Sequence, residues 1–356
     1  MSVLRSTGSG PALARLDAIG RTRLASVPTP LFPAAALAGH LGTGAQVSIK
    51  ADDCTGLGLG GNKVRKLEYE LDPTRLQGVT HLVTAGGPHS NHCRVTAAAA
   101  ARLGLGCTLV VNGEPDDPER GNAHLHRLLG ARIVTVGDRG ERGPAIEKEA
   151  RRIGAADGRA LVVPLGASTA RGALGYVHAV AEMRNQVGGG NTPPWVFTSS
   201  SSGGTLAGLI LGCAILDWRA RLVGVSADEP AAWIRETAFG LATAAARLLE
   251  PGPGSSSGNA GAEGTSGPRA GLARRVRRMA EDVFVTDDFA GAGYGIATAE
   301  GDEATRVFGA RAGVILDPVY TAKAAAALVA RLRDGTISAG DHAVFLHTGG
   351  HPALFR

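Results

Sequence analysis

The chain has 356 residues, 44% hydrophobic and 19% charged, which excludes global disorder and is long enough for two lobes, each with its own core. The formal net charge of +5 is spread along the sequence, and only 4% of residues are aromatic, so no nucleic-acid partner is predicted. No apolar run approaches the roughly 18 residues of a membrane span. The four cysteines show no CxxC spacing, and no secretory signal is evident. We therefore expect a cytoplasmic protein without disulfides.

Short apolar runs alternate with helical stretches along almost the whole chain. Runs without polar alternation are typical of parallel strands that are buried on both faces. Strand, helix and strand at this spacing predict an α/β fold with right-handed crossovers. The predicted strands are Val47–Lys50, His81–Thr84, Cys107–Val111, Arg132–Val136, Leu161–Pro164, Trp195–Thr198, Leu222–Val225 and Ala343–Leu346. Among the helical segments are Asn91–Leu103, Gly172–Gln186 and Thr205–Leu216.

One segment, Pro251–Pro268, departs from this pattern because it is almost entirely Gly, Ser, Pro, Ala and Asn. Such a composition buries too little apolar surface to order itself, so we interpret it as a flexible surface loop between two helices. Four arginines follow it, and we expect them to lie on a solvated helix face. They are Arg274, Arg275, Arg277 and Arg278.

The first of three candidate ligand loops is the glycine-rich run Gly56–Glu68, which contains Lys63. It matches GxGxxG only loosely and lacks the GK[ST] of a P-loop, so a nucleotide site is not indicated. What remains is a lysine presented by a glycine-rich turn at the start of a helix. The positive end of the helix dipole disfavours its ammonium form, and a lowered lysine pKa suits imine chemistry with an aldehyde. An ordinary surface lysine remains the alternative.

The other two loops follow the predicted strands His81–Thr84 and Trp195–Thr198. Ser90 or Asn91 is a plausible N-cap of the helix after the first, whose free N–H groups suit a carboxylate. After the second, serine hydroxyls and glycine N–H groups at a helix N-terminus suit a phosphate monoester. A capped turn and a simple Ser/Gly loop remain alternatives for each loop alone. Together the three loops are the parts that a pyridoxal-phosphate (PLP) enzyme must assemble.

Beyond these parts, the sequence resembles the D-cysteine desulfhydrase and 1-aminocyclopropane-1-carboxylate (ACC) deaminase family, in the tryptophan-synthase-β-like class of PLP enzymes. The likeness spans about positions 28 to 355. It implies fold type II of these enzymes, a two-lobed, three-layer α/β/α architecture with mostly parallel twisted sheets. It also implies a large lobe from 1–65 and 172–356, a small lobe from 66–171, and a homodimer. The matching segments are Gly60–Glu68, Ser90–Leu103, Gly203–Gly208, Ala292–Gly295, Leu316–Lys323 and His347–Leu354.

The resemblance assigns a role to each matching position. Lys63 would carry PLP as a Schiff base and move the Cα proton, whereas Lys66 would be a surface or ion-pairing residue. Ser90 would contact the substrate carboxylate or assist proton transfer. Asn91 would donate to the cofactor's phenolic oxygen, and Tyr294 would face the substrate. The phosphate would be held by Ser202, Gly203, Gly204 and Thr205, the pyridine ring by Tyr320 and Thr321, and the substrate also by His89, His92 and Thr348. No metal site is expected.

Two threonines favour elimination over ring opening. ACC deaminases resemble this chain but carry Glu at Thr321 and Leu at Thr348, whereas desulfhydrase-like members carry Thr at both positions. A hydroxyl supports a neutral pyridine nitrogen, but a carboxylate stabilises the protonated one and so strengthens the electron sink. We therefore expect α,β-elimination from a small β-substituted amino acid, D-cysteine being the leading substrate. ACC-type ring opening, β-replacement and racemisation remain alternatives.

Three positions depart from the family pattern. His89 stands where a Gln is usual, Val95 replaces another Gln on the same helix, and Ala51 replaces a common Arg. His89 either fills the space of the Gln or titrates near neutrality and alters substrate choice. These departures leave PLP binding in place and bear on the identity of the substrate and its D or L stereochemistry.

Overall fold

The computed structural model describes residues 10–189, 192–250 and 268–356. Its larger sheet has six strands: β1 (Leu31–Pro33), β2 (Gln46–Ala51), β7 (Trp195–Ser200), β8 (Arg221–Ser226), β9 (Phe284–Thr286) and β10 (His342–His347). Their order across the sheet is β1-β2-β10-β7-β8-β9. Only β1 is antiparallel to its neighbour; every other pair is parallel.

The smaller sheet has four parallel strands in the order β5-β4-β3-β6. These are β3 (His81–Gly86), β4 (Gly106–Asn112), β5 (Arg132–Val136) and β6 (Ala160–Val162). All four strands lie in 66–171, and the strands of the larger sheet lie outside it. The lobe boundaries at 65/66 and 171/172 stay a prediction.

Twelve α-helices connect the strands of the described residues. They are α1 (Pro11–Ala18), α2 (Ala35–His40), α3 (Lys63–Glu70), α4 (Asn91–Arg102), α5 (Gly121–Leu128), α6 (Arg142–Gly154), α7 (Ala170–Val187), α8 (Gly204–Leu216), α9 (Ala231–Leu248), α10 (Pro268–Glu281), α11 (Ala299–Ala312) and α12 (Thr321–Arg333). None of the described helices is both long and apolar enough to cross a membrane.

Helix α8 lies at the centre of the larger lobe. Nearly all of its residues are buried, and α7, α9 and α10 pack around it. A helix that is apolar around its whole circumference must be covered on all sides, which explains this position. Its N-terminus lies beside the end of β7, where the predicted phosphate loop is found.

The predicted α/β fold with mostly parallel sheets is confirmed. Each predicted strand is present to within two residues at either end, and Arg132–Val136 matches β5 at both ends. The two three-residue strands, β1 and β9, were not predicted because such short edge strands carry too little apolar pattern. The predicted loop 251–268 lies outside the described residues, apart from Pro268 at the start of α10. The four arginines are exposed on α10, as expected.

Candidate active site

A cavity lies beyond the carboxyl ends of β3 and β7, at the N-termini of α3, α4 and α8. Ligands in open α/β sheets bind at this position. Ten predicted site residues line it: Lys63, Ser90, Asn91, His92, Ser202, Gly203, Gly204, Thr205, Tyr294 and Tyr320. The three that do not line it are His89, Thr321 and Thr348.

Lys63 is the first residue of α3, at the end of its glycine-rich loop. The loop is tight at Gly60, which has a φ of 65°, and a Cβ there would lie 1.9 Å from the carbonyl oxygen of Asp53. Burial lowers the pKa of Lys63 to about 8; Asp317 opposes the shift and Arg94 adds to it. The predicted lowering is confirmed, but desolvation is its main cause. At neutral pH a tenth or so of such lysines carry a neutral amine.

The position of Lys66 contradicts the interpretation of this residue as a surface or ion-pairing lysine. Lys66 is only 1% exposed and lines the cavity, so a surface role is wrong. Its Nζ donates to Ser168 Oγ at 3.1 Å, and burial and the neighbouring Lys63 lower its pKa well below the usual value. No ion pair compensates either lysine among the described side chains. Residues three apart share one helix face, so the spacing from Lys63 was the signal for this position.

The loop between β7 and α8 forms an anion cup. Gly203 is in the left-handed region (φ 72°) and turns the chain into α8, so the first N–H groups of that helix face the cavity end. Ser202 Oγ lies 2.7 Å from Ser168 Oγ, which joins the cup to Lys66. Thr205 Oγ1 accepts from the side-chain amide of Asn62 at 2.9 Å. A helix N-terminus, hydroxyls and a buried cation together suit a phosphate.

Arg94 holds the lysine loop and Asn91 in one network. Its guanidinium donates to the carbonyls of Gly58 and Gly60 and to the side-chain oxygens of Asn91 and Asn122. The Asn91 oxygen also accepts from the amide of Asn122 at 2.8 Å. Because that oxygen is occupied twice, Asn91 is left with its NH₂ as the group to donate to a ligand. Asn122 is fully buried and was missed by the sequence reasoning.

Ser90 and His92 stand at the start of α4. Ser90 is the N-cap, and its Oγ accepts from the backbone N–H of Cys93 at 3.2 Å. His92 Nε2 lies 2.8 Å from Thr84 Oγ1, and burial together with Lys66 and Lys63 lowers its pKa to about 3. His92 is therefore neutral at physiological pH and cannot supply a positive charge to a bound carboxylate.

Tyr294 and Tyr320 form another part of the cavity wall. Their hydroxyls are 2.6 Å apart and their rings meet edge to face. The Lys63 ammonium lies 5.2 Å from the centroid of the Tyr320 ring. Burial raises the pKa of both phenols, so both hydroxyls stay protonated at neutral pH. The wall therefore offers hydrogen-bond donors near Lys63 without a negative charge.

Three predicted site residues, Thr321, Thr348 and His89, do not line the cavity. Thr321 is fully buried, and its hydroxyl is engaged by both the backbone and the carboxylate of Asp317. Thr348 Oγ1 lies 2.9 Å from Ser199 Oγ, and its carbonyl accepts from the backbone N–H of Asn62. His89 is half-buried near Arg356; burial and that arginine lower its pKa, which favours the neutral form.

Further residues line the cavity, among them Ser200 of the predicted serine-glycine loop and two arginines that the sequence reasoning missed. Ser200 Oγ is buried and has no hydrogen-bond partner among the described residues. Arg139 and Arg142 line the cavity near the start of α6, and Arg139 lies 5.7 Å from the centroid of the Tyr294 ring. Arg139 precedes α6 and Arg142 is its first residue; neither belongs to a motif, and only the tertiary structure places them here. Their charges favour an anionic ligand.

Behind α3 lies a buried cluster of four charges, here called the ion cluster: Lys50, Asp52, Arg65 and Glu182. Arg65 donates to Asp52 (2.8 Å) and to Glu182 (2.7 Å), and Lys50 donates to Glu182 at 2.7 Å. Tyr176 adds a hydrogen bond to Asp52. Two positive and two negative groups give no net charge, as buried charges require. The cluster fixes the helix whose first residue is Lys63.

Comparison with known proteins explains this arrangement. The profile of the family described as "Pyridoxal-phosphate dependent enzyme" matches residues 22–349, most of the chain. The chain belongs to this family. Its cofactor is PLP, as the three loops predicted.

Three further likenesses refine this result. The chain is 34% identical to a protein named D-cysteine desulfhydrase from Klebsiella pneumoniae (strain 342), over 97% of this chain and 98% of that protein. A second protein of that name, from Klebsiella pneumoniae subsp. pneumoniae, is 33% identical over the same shares. A solved structure of an ACC deaminase homologue matches with a TM-score of 0.79 and 32% identity, covering 98% of this chain and 97% of that one. The predicted resemblance and the PLP-dependent lyase class are confirmed.

The fold alone is shared more widely. A fungal L-serine ammonia-lyase from Rhizomucor miehei matches with a TM-score of 0.62 at 18% identity, over 92% of this chain and 95% of that one. A PLP-dependent aspartate racemase matches with a TM-score of 0.63 at 16% identity, over 96% and 94%. Different reactions are thus named for proteins of this fold, so the reaction must be argued from the site.

The residues present fit PLP. The cup at the start of α8 and the Lys66 ammonium suit its phosphate, and Lys63 suits its aldehyde. Asn91 has an NH₂ group left to donate, and the unpartnered Ser200 hydroxyl offers a further contact. When bound, PLP supplies the electron sink that stabilises negative charge at the Cα of an amino acid.

Proposed function

We propose that the enzyme catalyses α,β-elimination from a small β-substituted amino acid, with D-cysteine as substrate. D-cysteine and water would give pyruvate, hydrogen sulfide and ammonia, as the Cα–H and Cβ–S bonds break. The proposal is supported by two relatives named D-cysteine desulfhydrase, which are 33% and 34% identical to this chain over nearly its whole length. The protonated phenols of Tyr294 and Tyr320 suit a leaving thiolate, which needs a proton donor.

The position of Lys63 is the observation that carries the catalytic assignment. The chain has five lysines, all in the described part of the structure. Lys50 and Lys323 are buried and satisfied by Glu182 and by backbone carbonyls respectively, and Lys148 is exposed. Lys66 donates to Ser168 at the anion cup. Lys63 is left as the lysine that holds PLP and takes the Cα proton.

The other roles follow from the contacts around Lys63. Ser90 and the N–H groups at the start of α4 would bind the substrate carboxylate, with Arg139 and Arg142 adding positive charge nearby. Asn91 would donate to the phenolic oxygen of PLP. Substrate contacts of His89, His92 and Thr348, and a pyridine contact of Thr321, remain part of the proposal. Of these four, only His92 lines the cavity.

We further propose that the protein is a cytoplasmic homodimer, from the family resemblance and from cysteines that are all free thiols.

The test is product analysis on the PLP-loaded protein with D-cysteine, L-cysteine and ACC. We expect pyruvate and sulfide in equal amounts from D-cysteine. Lys63→Ala should abolish both products and the visible absorbance of the bound cofactor, whereas the exposed Lys148→Ala should retain both. Products from ACC alone would assign the ring-opening reaction instead. An intact cofactor spectrum without product from any of the three would refute the proposed substrate.

A further inference from the structure

Three side chains that can ligate a metal meet on the far side of the lysine loop. Asp53 follows β2, His347 ends β10, and His351 opens the short helix His351–Phe355. Within 10–189, 192–250 and 268–356, they form the one group of His, Cys, Asp and Glu whose ligand atoms all lie within 4.8 Å of one another. None of the three lines the active-site cavity.

The backbone brings the two histidines together without a helix between them. Gly350 has a φ of 116°, and a Cβ there would lie 2.6 Å from the Asp317 carboxyl. This turn returns His351 over His347, so that their ring centroids are 5.1 Å apart. Asp53 approaches both rings: its Oδ1 is 3.6 Å from His347 Nδ1, and its Oδ2 is 4.0 Å from His351 Nε2.

One ligand oxygen lacks a hydrogen-bond partner among the described residues, and the hydrogen bonds of His347 orient its Nδ1 towards that oxygen. Asp53 Oδ1 is buried and has no hydrogen-bond partner in the described part of the chain. His347 Nε2 donates to the carbonyl of Ile315 at 2.8 Å, which leaves Nδ1 as the acceptor that faces Asp53. Histidines that bind metals usually donate their second ring N–H to a backbone carbonyl or carboxylate in this way. His347 Nδ1 also accepts from the backbone N–H of Gly349 at 3.2 Å, a hydrogen bond that a metal at Nδ1 would replace.

We propose that Asp53, His347 and His351 form a Zn²⁺ site. Two imidazoles and a carboxylate suit Zn²⁺, whereas Ca²⁺ and Mg²⁺ prefer all-oxygen ligands. Tetrahedral ligands about 2.1 Å from Zn²⁺ are about 3.4 Å apart. The Asp53–His347 and Asp53–His351 separations of 3.6 and 4.0 Å are close to this value, and the three ligand atoms, which lie within 4.8 Å of one another, would draw together on binding. His351 is 31% exposed, and water can therefore supply the fourth ligand.

The position indicates a structural role. Asp52 and Thr348, the neighbours of two of the ligands, accept hydrogen bonds from the backbone N–H groups of Gly61 and Asn62. A metal that joins the ends of β2 and β10 would therefore immobilise the loop that presents Lys63. Bound Zn²⁺ stabilises the native state because it binds that state in preference to the unfolded chain.

The experiment uses untagged, PLP-loaded protein in a buffer free of thiols and amino acids. Zn²⁺ binding is measured by equilibrium dialysis with elemental analysis, and Co²⁺ is used as a spectroscopic probe of four-coordination. We expect one Zn²⁺ per chain and a rise in Tm on Zn²⁺ addition. His351→Gln and Asp53→Asn should each weaken binding at least tenfold and abolish the rise. The control His124→Gln, at an exposed histidine of α5, should change neither.

Melting curves without metal establish that each variant folds. The proposal is overturned if the wild-type protein binds no Zn²⁺, or if His351→Gln binds it with unchanged affinity. Neither result affects the proposed lyase reaction, which is read from product formation.

Discussion

The two faces of α3 differ in whether their buried charged side chains are paired with side chains of opposite charge. On one face Arg65 meets both carboxylates of the ion cluster, and every charge has a partner within 3 Å. On the other face Lys63 and Lys66 are buried in the cavity wall without a carboxylate partner among the described residues. A single eight-residue helix therefore carries both the best-compensated and the least-compensated charges described here.

Paired and unpaired buried charges suit different roles, because the first stabilise the helix and the second can take part in a reaction. A compensated ion pair keeps its groups charged and rigid, which positions the helix but leaves them inert. An uncompensated buried lysine has a lowered pKa and can act as a nucleophile and a base. An anionic cofactor is also the partner that such lysines lack. The native state thus buries two lysines without a carboxylate partner among the described residues, and the phosphate of PLP would supply the missing negative charge.

Breaking the ion cluster should give the largest effect. Arg65→Met leaves Asp52 and Glu182 buried with only Lys50 to compensate them, so we expect the free energy of unfolding to fall by about 3–5 kcal/mol. Urea unfolding followed by circular dichroism measures this. The matched control is Arg333→Met, which removes an exposed, solvent-screened ion pair with Glu303 and should leave the free energy of unfolding almost unchanged. Equal losses in the two variants would contradict the comparison.

The pKa of Lys63 sharpens the contrast. Its value of about 8 lies below the 10.5 of an unburied lysine. The native state therefore binds fewer protons than the unfolded state between these values, and this residue's contribution to stability rises with pH in that window. PLP capture by cofactor-free protein should accelerate about tenfold per pH unit up to about pH 8 and level off above it. Stopped-flow absorbance measures the rate; a free lysine derivative, the control, should continue to accelerate towards pH 10.

Lys66 should give the smallest of the three effects. Lys66→Met removes a buried amine that has no carboxylate partner among the described residues, so we expect the cofactor-free protein to be as stable as the wild type or more so. The affinity for PLP should fall about tenfold, because a charge-assisted hydrogen bond to the phosphate is worth about 1.5 kcal/mol or more. Absorbance titration of cofactor-free protein with PLP measures this, with Lys148→Met as control. Lower stability with unchanged PLP affinity would show a structural role instead.

The sequence predicted the cavity better than it predicted the residues behind it. Lys63, Ser90, Asn91 and the serine-glycine cup follow strands and open helices, and this local order reads directly from the chain. Asn122 and Ser168 come from elsewhere and carry no motif. Their roles depend on contacts between segments far apart in the sequence, such as Arg94 with Asn122.

The sequence alone therefore determined the α/β class, the parallel strands and the loops that form the proposed cofactor site, because apolar runs and helix starts are local signals. Tertiary structure decided which face of α3 carries charges that are paired with opposite charges. It also decided that Lys66 is buried and that the Thr321 hydroxyl is hydrogen-bonded to Asp317. It also decided that Asp53 meets His347 and His351. Burial and charge compensation depend on segments distant in sequence, and these set the pKa of Lys63, on which the proposed chemistry depends.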